Sequence, residues 1–244
     1  VCCCMQPDEL QLNMLENELI AIAAHELKSP LTAIKNLALY ASDDQSELLD
    51  DLARIAHISD RSLKLVHSLL DVEKLRSGAA HIKNEPVNLV QVSYNVGQML
   101  EPVLKQKQQQ LRIYERPLQP IFSDENYVEQ IMYNLIDNAA KYSAKGQPIE
   151  IRFAKETNRQ NIRIRDYGSG ISKSEWAALF KKFGKLKQPL SKQADSTGLG
   201  LYICKQLSES IGGKLYLQPR RIGSCFVLQL PLMEQLDLWH GARW

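Results

Sequence analysis

His25 stands in the run Ala-Ala-His25-Glu26-Leu27-Lys28-Ser29-Pro30-Leu31. An imidazole brings its own lone pair, and a neighbouring carboxylate can orient it or take its proton. His25 with Glu26 is therefore a candidate nucleophile with its acidic helper. Upstream, Leu12, Leu15, Leu19 and Ile22 recur at helical spacing; the apolar stripe then moves to Leu27, Leu31, Ile34 and Ala38. His25 lies off both stripes and reads as facing outward. Pro30 sits one turn beyond it, where a helix interior penalises proline by about 3 kcal/mol. That cost beside an exposed His, at the point where the stripe shifts, reads as a functional bend; an ordinary surface His is the competing reading.

Three further constellations lie downstream. Asn134, Asn138 and Lys141 fall at i, i+4 and i+7 of one helical pattern, hence on one face. An amide oxygen there can ligate Mg²⁺ without adding charge, and Lys141 can meet phosphate oxygens. A solvated polar face is the alternative. Asp166-Tyr-Gly168-Ser-Gly170 ends a strand pattern. Its carboxylate can accept from the exocyclic amino group of adenine while the glycines admit close approach of a ring; a plain tight turn is the alternative. Ser196-Thr197-Gly198-Leu199-Gly200-Leu201 opens a helix, where amide N–H groups can face phosphate. Lys181, Lys182, Lys185, Lys187 and Lys192 precede it with no acid among them, a long cationic loop that reads as a lid or as a solvated surface run. Neither a Walker A loop nor a GxGxxG is present.

The elements that must carry these residues follow from periodicity. One long amphipathic helix is predicted over about Pro7–Ala41 and a second over Glu47–Ser77, joined at Ser42–Ser46. Such a hairpin leaves apolar surface uncovered, so a second copy is expected to complete a dimeric four-helix bundle. Lys83–Pro86 reads as linker. Helices are then predicted at Leu89–Gln108, Glu125–Tyr142, Lys173–Leu179 and Gly200–Ile211. Strands are predicted at Leu111–Tyr114, Ile149–Ala154, Asn161–Arg165, Lys214–Gln218 and Ser224–Leu230. This order predicts an α/β sandwich, a mixed sheet covered on one face. The expected division is residues 1–80, a linker at 81–87, a second domain at 88–233 and a tail at 234–244.

Composition sets the bounds. The 244 residues are 44% hydrophobic and 24% charged, which excludes a disordered tail, a collagen-like fibre and a disulfide-dense miniprotein. No run approaches ~18 apolar residues, so no membrane span is expected in this stretch. The net charge of +2 hides an asymmetry. Residues 1–85 hold 8 Lys+Arg against 14 Asp+Glu, and residues 86–244 hold 22 against 14. The basic half argues for a polyanion, with ATP rather than nucleic acid favoured by the motifs. Cys204 and Cys225 stand in apolar segments and read as buried small hydrophobes. Cys2, Cys3 and Cys4 read as reduced thiols of a linker, with acylation or a redox or metal site as alternatives. A reducing, cytoplasmic setting is expected. The chain starts at Val1 and reads as a piece of something longer.

The order His-Glu-x-x-Ser-Pro-Leu, Asn-x-x-x-Asn-Ala-x-Lys-Tyr, Asp-x-Gly-x-Gly, Phe-x-x-Phe and Thr-Gly-Leu-Gly-Leu resembles the sensor histidine kinase family of two-component systems, over residues 8–232. The resemblance implies a dimerisation and histidine-phosphotransfer domain followed by an ATP-binding domain of the gyrase/Hsp90/histidine-kinase/MutL type. It implies a homodimer that autophosphorylates from ATP and passes the phosphoryl group to an aspartate of a response-regulator receiver domain. Carried over residue by residue, His25 is similar to the phosphoacceptor and Glu26 to its acidic neighbour. Asn138 resembles the Mg²⁺ ligand, with Asn134 and Lys141 near the phosphates and Tyr142 against adenine. Asp166 resembles the adenine-specificity residue. Gly168, Gly170, Thr197, Gly198, Leu199 and Gly200 resemble residues of the family's nucleotide loops.

Two departures stand out. Ser196 replaces the first glycine of the last loop. Ser29 stands where bifunctional members carry Thr or Asn, so phosphatase activity on the regulator stays open. A related ATPase clamp or a mitochondrial-type serine kinase would place Glu at position 134, and Asn134 cannot accept a proton. A non-catalytic nucleotide-binding or dimerising scaffold is the third reading, with Ser196 as its support.

Overall fold

The computed structural model describes residues 27–28, 30–40, 45–115, 118, 121–181 and 199–232. The chain divides into two compact units, Val1–Ala80 and His81–Trp244.

In the first unit, residues 30–39 form helix α1, and residues 27–28 are helical too. Helix α2 runs over Gln45–Arg76, 32 residues, with Glu47 placed in its first turn where the helix dipole favours an acid. It stops at Ser77-Gly78. Ser77 N–H bonds to the Glu73 carbonyl, Ala80 N–H bonds to that of Lys74, and Gly78 takes φ +71°. Leu31, Leu39, Leu49, Leu52, Leu63 and Leu70 are all more than half exposed in the single chain. The apolar stripe that the spacing predicts is thus present and uncovered.

The second unit runs β1 (Glu85–Val87), α3 (Leu89–Met99), α4 (Glu101–Gln106), β2 (Leu111–Tyr114), β3 (Ile121–Ser123), α5 (Glu125–Tyr142), β4 (Ile149–Glu156) and β5 (Arg159–Arg165). A short 3-10 turn at Lys173–Glu175 follows, then α6 (Trp176–Leu179), α7 (Gly200–Ser210), β6 (Lys214–Leu217) and β7 (Cys225–Pro231). The main sheet has the order β2-β4-β5-β7-β6. β2 and β4 are parallel and the remaining pairs antiparallel, the expected mixed sheet. Helices α3, α5 and α7 pack together. Ile131, Met132, Leu135 and Ile136 of α5 have no exposure, and Ile149, Ile151 and Ile162 of the sheet are equally closed off. Each such side chain contributes about 1.5–3 kcal/mol on burial.

Two sequence expectations change. The single helix over Leu89–Gln108 is broken at Leu100, the C-cap of α3 and N-cap of α4. Pro102 explains it: proline has no N–H and its ring crowds the carbonyl four residues back, so it suits the first turn of a new helix. The stretch read as linker is also partly sheet. Glu85–Val87 pairs antiparallel with Ile121–Ser123, and Pro86 is tolerated because this small sheet is all edge. Lys83 N–H donates to Asp124 Oδ2 at 3.0 Å, while Asp124 Oδ1 caps α5 through Asn126 and Tyr127 N–H. That stretch therefore anchors the start of α5.

Candidate functional site

Helix α5 presents two faces. Ile131, Met132, Leu135, Ile136, Ala139 and Ala140 are buried, while Asn134, Asn138 and Lys141 stay half-buried on the other side. The 3.6-residue repeat forces this split, so burying one face leaves the amides together on the other. Asn134 Nδ2 donates to the Gln130 carbonyl, 3.0 Å away. A Cβ placed on Gly200 would lie 3.7 Å from Asn134 Oδ1, so the first turn of α7 stands beside the amide stripe. The Cys204 thiol, 3.8 Å from the Ile131 carbonyl, helps seat α7 there, and burial pushes that thiol well above the ordinary cysteine range. Lys141 is ion-paired with Asp137 one turn back, so its ammonium already has a carboxylate partner.

Asp166 follows β5 and is 4% exposed. Its Oδ1 accepts from Gly168 N–H at 2.8 Å and from Ser224 N–H at 3.0 Å. Burial raises its carboxyl above the usual aspartate value, and those donors offset the shift only in part. Gly168 could carry no side chain: a Cβ there would meet the Tyr142 carbonyl oxygen at 2.4 Å. The carboxylate loop is thus pressed onto the C-terminal end of α5. Tyr167 N–H adds a bond to Ser143 Oγ at 3.4 Å.

Asn134, Asn138, Lys141 and Tyr142 therefore share α5. Gly200 adjoins Asn134, and Asp166 with Gly168 adjoins Tyr142. Gly170 takes φ +76° and packs on Gly223. His25, Glu26, Ser29, Thr197 and Gly198 lie outside the described residues, as do Cys2–Cys4, Ser196, the lysine loop from Lys182 to Lys192 and the tail after Leu232. Phe180, the first residue of the Phe-x-x-Phe motif, meets Phe226 edge-on at 6.4 Å between ring centroids.

Several residues at this site carry no motif. Gly223, at φ +69°, would drive a Cβ to 2.0 Å from the Asp166 carbonyl oxygen, so only glycine lets the β6–β7 turn reach Asp166. Ser224 then holds the carboxylate. Its sequence signal is only a Gly-Ser between strands, which gives no hint of a partner 58 residues away. Lys107 Nζ donates to the carbonyls of Ala140, Lys141 and Ser143 at 2.5, 2.9 and 3.0 Å. Gln109 Nε2 bonds those of Ala140, Ser143 and Ala144. Together they cap the end of α5 that abuts Gly168.

The donor set bears on a metal. Among the described residues no three His, Cys, Asp or Glu side chains gather to hold an ion. A lone half-buried amide such as Asn138 suits Mg²⁺, which keeps waters and takes most of its oxygens from substrate phosphates. No described helix is long and apolar enough to cross a membrane.

Comparison with known proteins agrees with this geometry. The His Kinase A (phospho-acceptor) domain model matches residues 15–78. The histidine kinase-, DNA gyrase B- and HSP90-like ATPase model matches residues 123–234. The chain is 29% identical over 216 residues to the sensor histidine kinase GacS of Pseudomonas protegens, covering 85% of this chain and 24% of that protein. It thus spans about a quarter of the length of the first curated relatives. Among solved structures, the Acinetobacter baumannii histidine kinase AdeS matches with a TM-score of 0.64 at 22% identity, over 86% of this chain and 98% of that one. The histidine kinase ThkA, in a complex with response regulator protein TrrA, matches with a TM-score of 0.64 at 20% identity, over 93% of this chain and 64% of that one. With a phosphoacceptor domain and an ATPase domain matched in that order along one chain, and the fold shared with solved histidine kinases, this chain belongs to the sensor histidine kinase family.

Proposed function

We propose that this chain is the catalytic core of an ATP-dependent protein-histidine kinase, with His25 as its phosphoacceptor. The observation that carries the reading is the presence in one chain of a phosphoacceptor-type segment containing His25 and an ATPase unit. In that unit the start of α7 stands beside Asn134 of the amide stripe, and the loop of a buried aspartate abuts the C-terminal end of α5. In this reading residues 1–80 form the dimerisation and phosphotransfer domain, and residues 88–233 bind ATP.

Asp166 receives the adenine amino group and Tyr142 flanks the ring. Gly168 and Gly170 keep the base side of the pocket free of side chains. Asn134, Thr197, Gly198, Leu199 and Gly200 line the phosphate side, where the first N–H groups of α7 face negative charge. Lys141, buffered by Asp137, adds a cation at its rim. Asn138 holds Mg²⁺, which neutralises phosphate charge when bound. The His25 imidazole attacks the γ-phosphorus. The bond from that phosphorus to the bridging oxygen breaks, ADP leaves, and Glu26 takes the imidazole proton. Such transfers rest on positioning and charge stabilisation, so few groups need covalent roles.

The phosphoryl group then passes to an aspartate of a receiver domain, a partner class supported by the ThkA complex with a response regulator. The uncovered leucines of α1 and α2 support a homodimeric four-helix bundle. Incubation with radiolabelled Mg-ATP should give acid-labile, base-stable label that His25→Gln abolishes and Asn138→Ala strongly reduces. Label retained in the His25→Gln chain would refute the assignment.

A further inference from the structure

Tyr167 sits between Asp166 and Gly168, and its side chain is held on the sheet face away from the helices. Register places Glu150 of β4 opposite Arg165 of β5, and Tyr114 of β2 opposite Arg152. By strand alternation these residues point away from Ile149 and Ile151, which pack under the helices. Glu150 is nonetheless only 5% exposed, because its neighbours close over it. Its carboxylate accepts from Arg152 Nε at 3.2 Å and from the Tyr114 hydroxyl at 3.2 Å, and burial together with this carboxylate holds the nearby Tyr167 phenol above the usual tyrosine range. Arg152 lies over the Tyr114 ring at 3.9 Å, and Arg165 lies over the Tyr167 ring at 4.4 Å. Two cation–aromatic pairs thus flank one buried carboxylate across three strands. Burial alone would raise the Glu150 carboxyl, but the neighbouring Arg152, Tyr167 and Tyr114 outweigh it and keep it below the usual glutamate range. The anchor is therefore ionised at neutral pH, when it binds these donors best.

The backbone of Tyr167 is fixed as firmly as its ring. Its N–H bonds Ser143 Oγ, and the next N–H, of Gly168, bonds Asp166 Oδ1. The ring's seat and these two backbone bonds meet at one Cα beside Asp166, so losing the seat loosens the loop that carries the carboxylate. We propose that Tyr167 is a positioning residue for base recognition: the seat of its ring under Arg165, which the register sets opposite Glu150, fixes the aim of the Asp166 carboxylate. This rests on the reading of Asp166 as the group that meets adenine.

The test compares ATP and GTP binding by titration on the full chain, with thermal unfolding measured in parallel. Tyr167→Ala should weaken ATP binding roughly twofold to fivefold, the scale of one cation–aromatic contact. GTP binding should change less, so the ATP/GTP ratio falls. Tyr167→Phe keeps the ring over Arg165 and should restore most of the ratio. Glu150→Gln, remote from the nucleotide, should lower it in the same direction and replaces the alanine variant if that chain does not fold. A folded Tyr167→Ala chain with the wild-type ratio overturns the proposal. Equal loss for both nucleotides also overturns it, since that marks a purely structural role. Asp166→Asn separates the two levels. If it keeps the preference for ATP, the adenine assignment of Asp166 fails, and the role of Tyr167 with it. If it abolishes the preference while Tyr167→Ala leaves it intact, only the positioning role fails.

Discussion

Gly168→Ala isolates the contact that presses the aspartate loop onto α5. Gly168 has no positive φ, so alanine brings no backbone strain there, only a methyl group. That methyl would lie 2.4 Å from the Tyr142 carbonyl oxygen and 3.1 Å from both the Tyr142 carbonyl carbon and Asp166 Oδ1. A normal C···O approach is roughly 3.3 Å, so the loop or the helix end must retreat by about 0.9 Å. Lys107 and Gln109 hold the helix end, and Ser224 holds the loop, so neither retreats freely. Overpacking of this kind costs about 2 kcal/mol, which lowers Tm by about 4–8 °C in a unit of this size. The same retreat separates Asp166 from Tyr142, so ATP affinity should fall on the order of tenfold or more, at 1.4 kcal/mol per tenfold. The assay is paired: calorimetric unfolding and nucleotide titration on the same preparations. Gly200→Ala is the internal contrast. Its methyl would meet only Asn134 Oδ1 at an ordinary 3.7 Å, so Tm should hold or rise while phosphate-side affinity falls. A Gly168→Ala chain with unchanged Tm and unchanged ATP affinity would show that the close approach does not shape the site.

Other expectations follow from single contacts. Lys107→Met removes three donors from the end of α5, of which Gln109 covers only the Ala140 and Ser143 carbonyls. Stability should drop by roughly 1–3 kcal/mol in denaturant titration, with a weaker nucleotide complex. Burial raises the Asp166 carboxyl, so the folded chain holds that proton more tightly than the unfolded one. Ionisation therefore costs stability as pH climbs above the ordinary aspartate range. Asp166→Asn should hold or raise Tm at neutral pH and flatten its fall as pH rises above the ordinary aspartate range, about pH 4. It should also weaken ATP binding roughly tenfold to a hundredfold; a lower Tm at pH 7 would contradict the sign. Cys204 and Cys225 are buried with raised thiols. Both should resist alkylation in the native chain and react after unfolding, as mass spectrometry would read directly.

Periodicity and order carried much of the architecture. The uncovered stripe of α1 and α2, the polar face of α5 and the mixed sheet follow from spacings of 3.6 and 2, which any chain burying those residues must obey. The family likeness rested on short motifs in sequence order, and these are local. Local chemistry did not reveal the partners that make the site rigid. Pro102 broke a helix that the apolar pattern alone would have continued, and the stretch around Pro86 became a strand because Ile121–Ser123 was there to pair with it.

The sequence by itself determined which residues could meet a nucleotide: amides one turn apart, an aspartate before glycines, glycines before a helix. Residue type and short spacing are written in the chain, so no fold was needed to read them. Only the tertiary structure decided what holds them. Ser224 comes to Asp166 across 58 residues, Lys107 and Gln109 close the end of α5 from 31 to 36 residues away, and Glu150 is set opposite Arg165 by strand register. These are hydrogen bonds and packing contacts across strand register and helix ends, set by how the hydrophobic core draws the sheet under the helices. They have no spacing of their own in the sequence, because the core, rather than the local chain, brings their partners together.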